Sequence, residues 1–193
     1  MARIIAIANQ KGGVGKTTTA INLSASLAHF NRRVLLIDMD PQGNSGTGLG
    51  IDVSAVSSTI KDVLLGNLPI KEAVLTTVFP KFNLIPANLQ LASFESQLYE
   101  KPVESPFFLL KNALGDIVDD YDYIIIDCPP SLGLLSINAL TCSDSVLVPV
   151  QCEYFAMEGL AAVLSSINSI KQKYNPDLTI EGFLLTMYDP KSQ

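Results

Sequence analysis

Residues 9 to 19 read Asn9-Gln10-Lys11-Gly12-Gly13-Val14-Gly15-Lys16-Thr17-Thr18-Thr19, after an apolar run, Ile4 to Ala8, and before a helix-compatible run, Ala20 to Phe30. A strand that opens into a glycine-rich turn and then a helix is the context that makes a phosphate-binding loop credible. Gly12, Gly13 and Gly15 permit backbone conformations closed to residues with a Cβ. The loop amides can therefore converge on phosphate oxygens as an anion-binding nest. A helix starting near Lys16 adds its free N-terminal N–H groups and the positive end of its dipole. Lys16 can reach β- and γ-phosphate oxygens as a point charge, and the Thr17 hydroxyl can be offered to Mg²⁺. A plain glycine turn with solvated lysines is the competing reading, and the flanking strand and helix weigh against it.

The loop departs from the general pattern G-x-x-x-x-G-K-[ST] at Gln10, where that pattern asks for glycine. Its glycines crowd toward Lys16, and a second lysine, Lys11, opens it. Lys11-Gly12-Gly13-Val14-Gly15-Lys16-Thr17 resembles the deviant Walker A motif, K-G-G-x-G-K-[ST], of the ParA/MinD/Soj family of dimerising ATPases. That superfamily also holds the nitrogenase iron protein and the arsenite-pump ATPases. The resemblance extends to two further segments and covers essentially the whole chain. Leu36-Ile37-Asp38-Met39-Asp40-Pro41-Gln42-Gly43-Asn44 is similar to the second signature of the family, and Asp127-Cys128-Pro129-Pro130-Ser131 to its switch segment. Read without the resemblance, Asp38 and Asp40 are acids at the C-terminal end of a buried strand, where open α/β sheets bind ligands. Asp127 likewise ends an apolar strand, Tyr123 to Asp127, in the Walker B manner, with a carboxylate placed to bind Mg²⁺ through water.

At 193 residues, 48% apolar and 17% charged, the chain is long enough for one well-buried domain and is globular rather than disordered. Its apolar runs fall short of the roughly 18 residues of a membrane span, and a strand begins at once with no signal-like segment, so a cytoplasmic location is expected. The net charge of −6 does not advertise nucleic-acid binding. Any DNA contact must come from a local patch, a dimer groove or residues outside this sequence. Cys128, Cys142 and Cys152 fit no zinc spacing and read as reduced thiols; Cys128 draws notice only because it follows Asp127. His29 is the single histidine and excludes multi-histidine sites by count.

Strands are expected at Arg3 to Ala8, Val34 to Ile37, Phe82 to Ile85, Tyr123 to Asp127, Ser145 to Val150 and Thr179 to Thr186. Helices are expected at Thr17 to Phe30, with Ile21, Leu23, Leu27 and Ala28 buried, and at Thr59 to Leu65, Ile70 to Leu75 and Leu89 to Leu98. Further helices are expected at Phe107 to Val118, Ser136 to Leu140 and Met157 to Tyr174, the last with a stripe of Leu160, Leu164, Ile167 and Ile170. Gly43 to Gly50 reads as a loop, Pro102 and Pro106 as breaks, and Met187 to Pro190 as the start of another loop. Alternating strands and helices predict an α/β fold, a doubly wound, mostly parallel sheet with helices on both faces. Residues 1–193 are expected to form a single P-loop ATPase domain. The resemblance implies several more elements beyond residue 193, including the adenine pocket and much of the DNA-contacting surface.

The resemblance also implies a mechanism. Two subunits sandwich two ATP molecules with Mg²⁺. Lys11 of one subunit reaches the phosphates held by the other, Lys16 holds β/γ oxygens in its own subunit, and Thr18 donates to the α-phosphate. Gly12, Gly13, Val14 and Gly15 supply the cradle. Thr17 ligates the metal, Asp38 and Asp127 support it, and Asp40 orients the attacking water. The implied role is segregation of a chromosome or plasmid by a nucleoid-associated homodimer that binds non-specific DNA and works with a ParB-like centromere-binding protein. A membrane-cycling ATPase of the MinD type, a nitrogenase-iron-protein-like cluster carrier and a non-catalytic nucleotide-dependent scaffold are the alternatives.

Overall fold

Apolar residues alternate cleanly between the two faces of the central strands. In β1 (Arg3–Ile7), Ile4 and Ala6 join one apolar cluster and Ile5 and Ile7 the other; in β2 (Val34–Asp38), Leu35 and Ile37 oppose Val34 and Leu36; in β5 (Tyr123–Asp127), Ile124 and Ile126 oppose Ile125. Strands apolar on both faces must be covered on both. Burying each such isoleucine or leucine contributes about 1.5–3 kcal/mol. The computed structural model describes residues 1–100, 103–153 and 156–189; Pro102 and Pro190 lie outside them.

Seven strands among the described residues form one sheet, in the order β3 (Leu75–Thr76), β4 (Phe82–Ile85), β2, β5, β1, β6 (Ser145–Gln151) and β7 (Thr179–Thr186). All neighbours run parallel except β3, which pairs antiparallel with β4. The chain leaves β1 first toward β2 and β4 and later toward β6 and β7, so it is doubly wound. In such sheets the ligand crevice lies at the C-terminal strand ends, where the winding reverses.

Helix α1 (Lys16–His29) lies against the second apolar cluster. Its tightest contact is made by Ala20, Ser24 and Ala28 rather than by the larger residues expected there. Small residues four apart let the helix settle close to the strands, while Ile21, Leu23 and Leu27 pack around its flanks. It ends in a Schellman motif: Asn31 takes φ 67°, its N–H donates to the Ala28 carbonyl and that of Arg32 to the Leu27 carbonyl. The other face carries α3 (Ile60–Leu64), α4 (Phe94–Glu100), α5 (Leu109–Leu114), α6 (Leu134–Cys142) and α7 (Ala156–Lys173).

Several expectations need correction. Residues 44–48 are not loop but a short helix, α2 (Asn44–Gly48), because Gly43 turns left-handed at φ 64° and Asp38 accepts the Ser45 N–H at the new helix's start. The helix expected at Ile70 to Leu75 is a single 3₁₀ turn, Ile70–Ala73, and Leu75 enters β3. The one expected at Phe107 to Val118 is only six residues long, ending before Gly115, with a separate 3₁₀ turn at Val118–Asp120. Leu89 to Leu98 divides into a 3₁₀ stretch and α4. The buried stripe of α7 is Val163, Ile167 and Ile170, with Leu160 only partly covered.

Candidate functional site

Three strand ends meet at the crevice. Ile7 of β1 and Asp38 of β2 both stand in register with Asp127 of β5. The loop from β1 to α1 rises over this row, with Gly13 at φ 76° and Gly15 at φ 87°, both closed to most side chains. Asn9 anchors the loop's entry: its buried Nδ2 donates to the Pro149 carbonyl at 2.7 Å, and its Oδ1 accepts the Lys11 N–H at 3.0 Å. At the loop's far side, the Thr186 hydroxyl donates to the Val14 carbonyl at 2.9 Å, and the end of β7 packs over Gly15. The loop is thus held from two strands that follow it by more than 130 residues.

Gly12, Gly13, Gly15, Lys16, Thr17 and Thr18 line a cleft of about 400 Å³, closed opposite by Asp40, Gln42, Asn44, Pro130 and Met187. That is room for a nucleotide's phosphates and part of its nucleoside. Lys16 is buried, and its Nζ donates to the Lys11 carbonyl at 3.2 Å. Burial lowers its pKa, while Asp127 and Asp40 pull it back up. An ammonium whose hydrogen-bond partner among the described residues is a neutral carbonyl suits an arriving anion. Val14 is 1% exposed and serves packing, not lining.

The acids are arranged around this lysine. Asp38 is fully buried, with Oδ1 accepting the Asp40 N–H at 2.9 Å and Oδ2 the Ser45 N–H at 3.0 Å. Burial first, and the neighbouring Asp127 next, push its carboxyl well above the usual range. Asp127 accepts the Ser45 hydroxyl on Oδ2 at 2.9 Å, while its Oδ1 is buried with no hydrogen-bond partner among the described residues. Burial raises its carboxyl to about 6, and the Thr17 and Ser45 hydroxyls favour the charged form. An orphaned carboxylate oxygen beside a hydroxyl is a hard oxygen donor set of the kind Mg²⁺ prefers. No group of three or more His, Cys, Asp or Glu among the described residues could hold an ion by itself. A cation here would therefore keep water or ligand oxygens in its shell. Both Asp38 oxygens already accept amides, so Asp38 organises the 38–45 turn and stands behind Asp127. Asp40 faces the glycine loop across the cleft, its own Oδ1 accepting the Gln42 N–H at 3.0 Å.

Four candidates do not line the cleft: Val14, Asp38 and Asp127, which are buried, and Lys11, which is exposed. The Lys11 Nζ points the other way, to Glu153 Oε2 at 2.7 Å, at the end of β6. Cys128 is buried, and burial together with Asp127 raises its thiol well above the ordinary value, so it is an inert packing residue. The structure adds Asn9, Ser45, Thr186, Met187 and Glu153 to the residues singled out in the sequence. Of these only Asn9 and Ser45 stood in or beside a motif; the other three come from 140 or more residues away in the chain and carried no local signal. Beside the switch segment, Glu95 of α4 accepts the Leu134 N–H at 3.0 Å and so caps α6 from a neighbouring helix.

Comparison with known proteins accords with this geometry. The family model described as an AAA domain matches residues 2–180. The chain is 53% identical over 192 residues to the chromosome partitioning protein ParA of Myxococcus xanthus, covering 100% of this chain and 67% of that protein. It is 52% identical over 192 residues to the sporulation initiation inhibitor protein Soj of Bacillus subtilis, covering 100% of this chain and 75% of that one. Among solved structures, a Mycobacterium smegmatis protein described as cobyrinic acid a,c-diamide synthase, with bound ATP analog and magnesium, superposes with a TM-score of 0.94 at 42% identity, covering 100% of this chain and 78% of that one. With a two-lysine phosphate loop, a pair of buried strand-end aspartates and relatives this similar along its whole length, the chain belongs to the ParA/Soj family of partitioning ATPases.

Proposed function

We propose that this chain binds ATP with Mg²⁺, dimerises on doing so, and hydrolyses ATP to ADP and phosphate as the motor of chromosome or plasmid segregation. The observation that carries the reading is the division of labour between the two loop lysines. Lys16 lies in the cleft beside the glycines, whereas Lys11, two residues from Asn9 and anchored through it, projects out of the cleft. A lysine that belongs to a phosphate loop but projects from its own cleft is suited to serving a second copy's.

Each step then falls to a residue already described. The loop amides and Lys16 grip the phosphates, and Thr18 donates to the α-phosphate. Thr17 would ligate the metal directly, with Asp127 and Asp38 in its outer shell. Mg²⁺, when bound, neutralises charge on the β- and γ-phosphate oxygens. Asp40 orients water for in-line attack on the γ-phosphorus. Lys11 of the sister subunit stabilises the charge that builds in the transition state. Because catalysis is positioning plus electrostatics, turnover is slow until the dimer completes the site. Non-specific DNA is the proposed surface on which the dimer works, and a ParB-like centromere-binding protein its proposed stimulator.

The test is co-sedimentation of the protein with non-specific DNA, with ATP, with ADP and without nucleotide. Retention only with ATP supports the reading. Retention instead on anionic liposomes supports the membrane-cycling alternative, although no helix among the described residues is long and apolar enough to cross a membrane. Lys11→Ala is expected to bind ATP yet lose dimer-dependent hydrolysis, and Asp40→Ala to accumulate as an ATP-bound dimer. Normal turnover in either variant removes that residue from its role.

A further inference from the structure

We infer that Glu153 is the positioning residue of Lys11: in the free subunit it holds the loop lysine in a same-chain ion pair, and it must surrender that lysine before Lys11 can engage a second subunit. The inference rests on the cross-subunit reading of Lys11 given above.

The pair is set up from both sides. Lys11 Nζ lies 2.7 Å from Glu153 Oε2. The other carboxylate oxygen, Oε1, accepts a hydrogen bond from Gln151 Nε2, which fixes the rotamer that faces the lysine. The Glu153 N–H donates to the Gln151 carbonyl at 2.8 Å, and the Cys152 N–H donates to the Thr186 carbonyl at 3.2 Å, so the turn that carries Glu153 is tied to β7. On the loop side, Asn9 bonds both the Lys11 N–H and the Pro149 carbonyl, and Gln10 Nε2 donates to Ser166 Oγ of α7 at 3.0 Å. The start of the phosphate loop and the end of β6 are therefore one assembly, with Lys11 and Glu153 facing each other across it.

The strength of the contact suits a restraint that can be released. The side chains are 42% and 49% exposed. Solvent screens such a pair to a small net worth, corresponding to about a two- to fivefold bias between held and free lysine. The triphosphate of a partner subunit offers several negative charges in place of one carboxylate, in a cleft where interactions are screened less. Without it the lysine is with Glu153 most of the time, so most unliganded copies meet with their reaching cations neutralised. Nucleotide thereby controls association by out-competing Glu153 for the same ammonium.

Two measurements on the full chain test this. In nucleotide-free protein, residue-resolved acylation of lysine amines is expected to label Lys11 about two- to fivefold faster in Glu153→Gln than in wild type, with other lysines and the melting temperature unchanged. In sedimentation velocity with a non-hydrolysable ATP analogue and Mg²⁺, Glu153→Gln is expected to dimerise about four- to twenty-fivefold more tightly at low salt, because two such pairs open per dimer. That gap should close as added salt screens the wild-type pair. Unchanged labelling means that no restraint exists; faster labelling with unchanged or weaker dimerisation means that the pair does not control association. Either result overturns the inference. Lys11→Ala separates its failure from that of the underlying reading. If this variant dimerises as wild type does, the cross-subunit role falls and the inference with it. If it fails to dimerise while Glu153→Gln behaves as wild type, only the inference falls.

Discussion

Replacing Asn9 by alanine removes the two hydrogen bonds that moor the start of the phosphate loop to β6. One joins Nδ2 to the Pro149 carbonyl at 2.7 Å in a buried setting, and the other joins the Lys11 N–H to Oδ1 at 3.0 Å. Each such bond is worth about 0.5–1.5 kcal/mol net, and a buried group left without its partner adds desolvation cost, so the expected loss is about 2–3 kcal/mol. For a domain of this length that corresponds to a fall in melting temperature of roughly 4–12 °C. Nucleotide affinity should fall further than global stability alone requires, because the lost contacts set where the loop amides point. Calorimetry gives the first quantity and titration with a fluorescent ATP analogue the second. Asn9→Asp separates packing from hydrogen bonding. It keeps the acceptor for Lys11 but sets a carboxylate against the Pro149 carbonyl, and should be at least as damaging as alanine. If Asn9→Ala melts and binds nucleotide as wild type does, the mooring is incidental and the loop's shape is fixed by its glycines alone.

Three further outcomes follow from the same site. Gly43→Ala must hold a Cβ residue at φ 64° with that Cβ 2.7 Å from the Ala87 carbonyl oxygen. The backbone conformation alone costs about 1–2 kcal/mol, and the clash adds to it, so a lower denaturant midpoint together with reduced turnover is expected; an unchanged midpoint refutes the close approach. Asp127→Asn removes one of two buried neighbouring carboxyls. Folding raises that carboxyl from 3.8 to about 6, so its charge costs stability above pH 6 and the cost fades as pH falls. The ligand-free variant should melt higher than wild type at pH 7.5, show a smaller gain on acidification to pH 5, and lose Mg²⁺-dependent nucleotide binding. A lower melting point at pH 7.5 contradicts the account in which burial of the charge carries the cost. Glu95→Ala uncaps α6 at Leu134 and should cost about 0.5–2 kcal/mol in chemical denaturation; no change means that solvent satisfies that amide equally well.

The central strands were legible because their physics is local. Ile4 to Ile7, Val34 to Ile37 and Ile124 to Ile126 are short, β-branched-rich apolar runs ending at a glycine loop or an acid, the length and flanks that favour a strand buried on both faces over a buried helix. Elements at the periphery were less legible because tertiary partners decide them. The short helix at 44–48 exists because the Asp38 carboxylate, from the strand before it, caps the Ser45 amide; a window of Gly, Ser, Thr and Asn read by propensity alone says loop. β3 has two residues and exists only by pairing with β4. On α1 the largest apolar residues looked like the buried face, yet the sheet lies so near that Ala20, Ser24 and Ala28 take the contact and the larger side chains move aside.

The site divides along the same line, and the division bears on how its chemistry is controlled. Residues that touch phosphate or metal sit in three short segments and announce themselves by type and spacing. Residues that hold those segments in place do so across 140 positions or more: Asn9 with Pro149, Lys11 with Glu153, Val14 with Thr186. All three tethers end on β6, the turn after it, or β7, which is the last strand of the sheet among the described residues and exposes Phe183, Leu184 and Leu185 there. A loop moored to that strand senses whatever packs on it. Thr186 bonds the Val14 carbonyl through its hydroxyl and the Cys152 N–H through its carbonyl, so one residue of β7 touches both the phosphate loop and the turn that carries Glu153. Under the dimerisation proposed above, the grip on nucleotide and the release of Lys11 would depend on the same two strands, although no cleft-lining residue belongs to either.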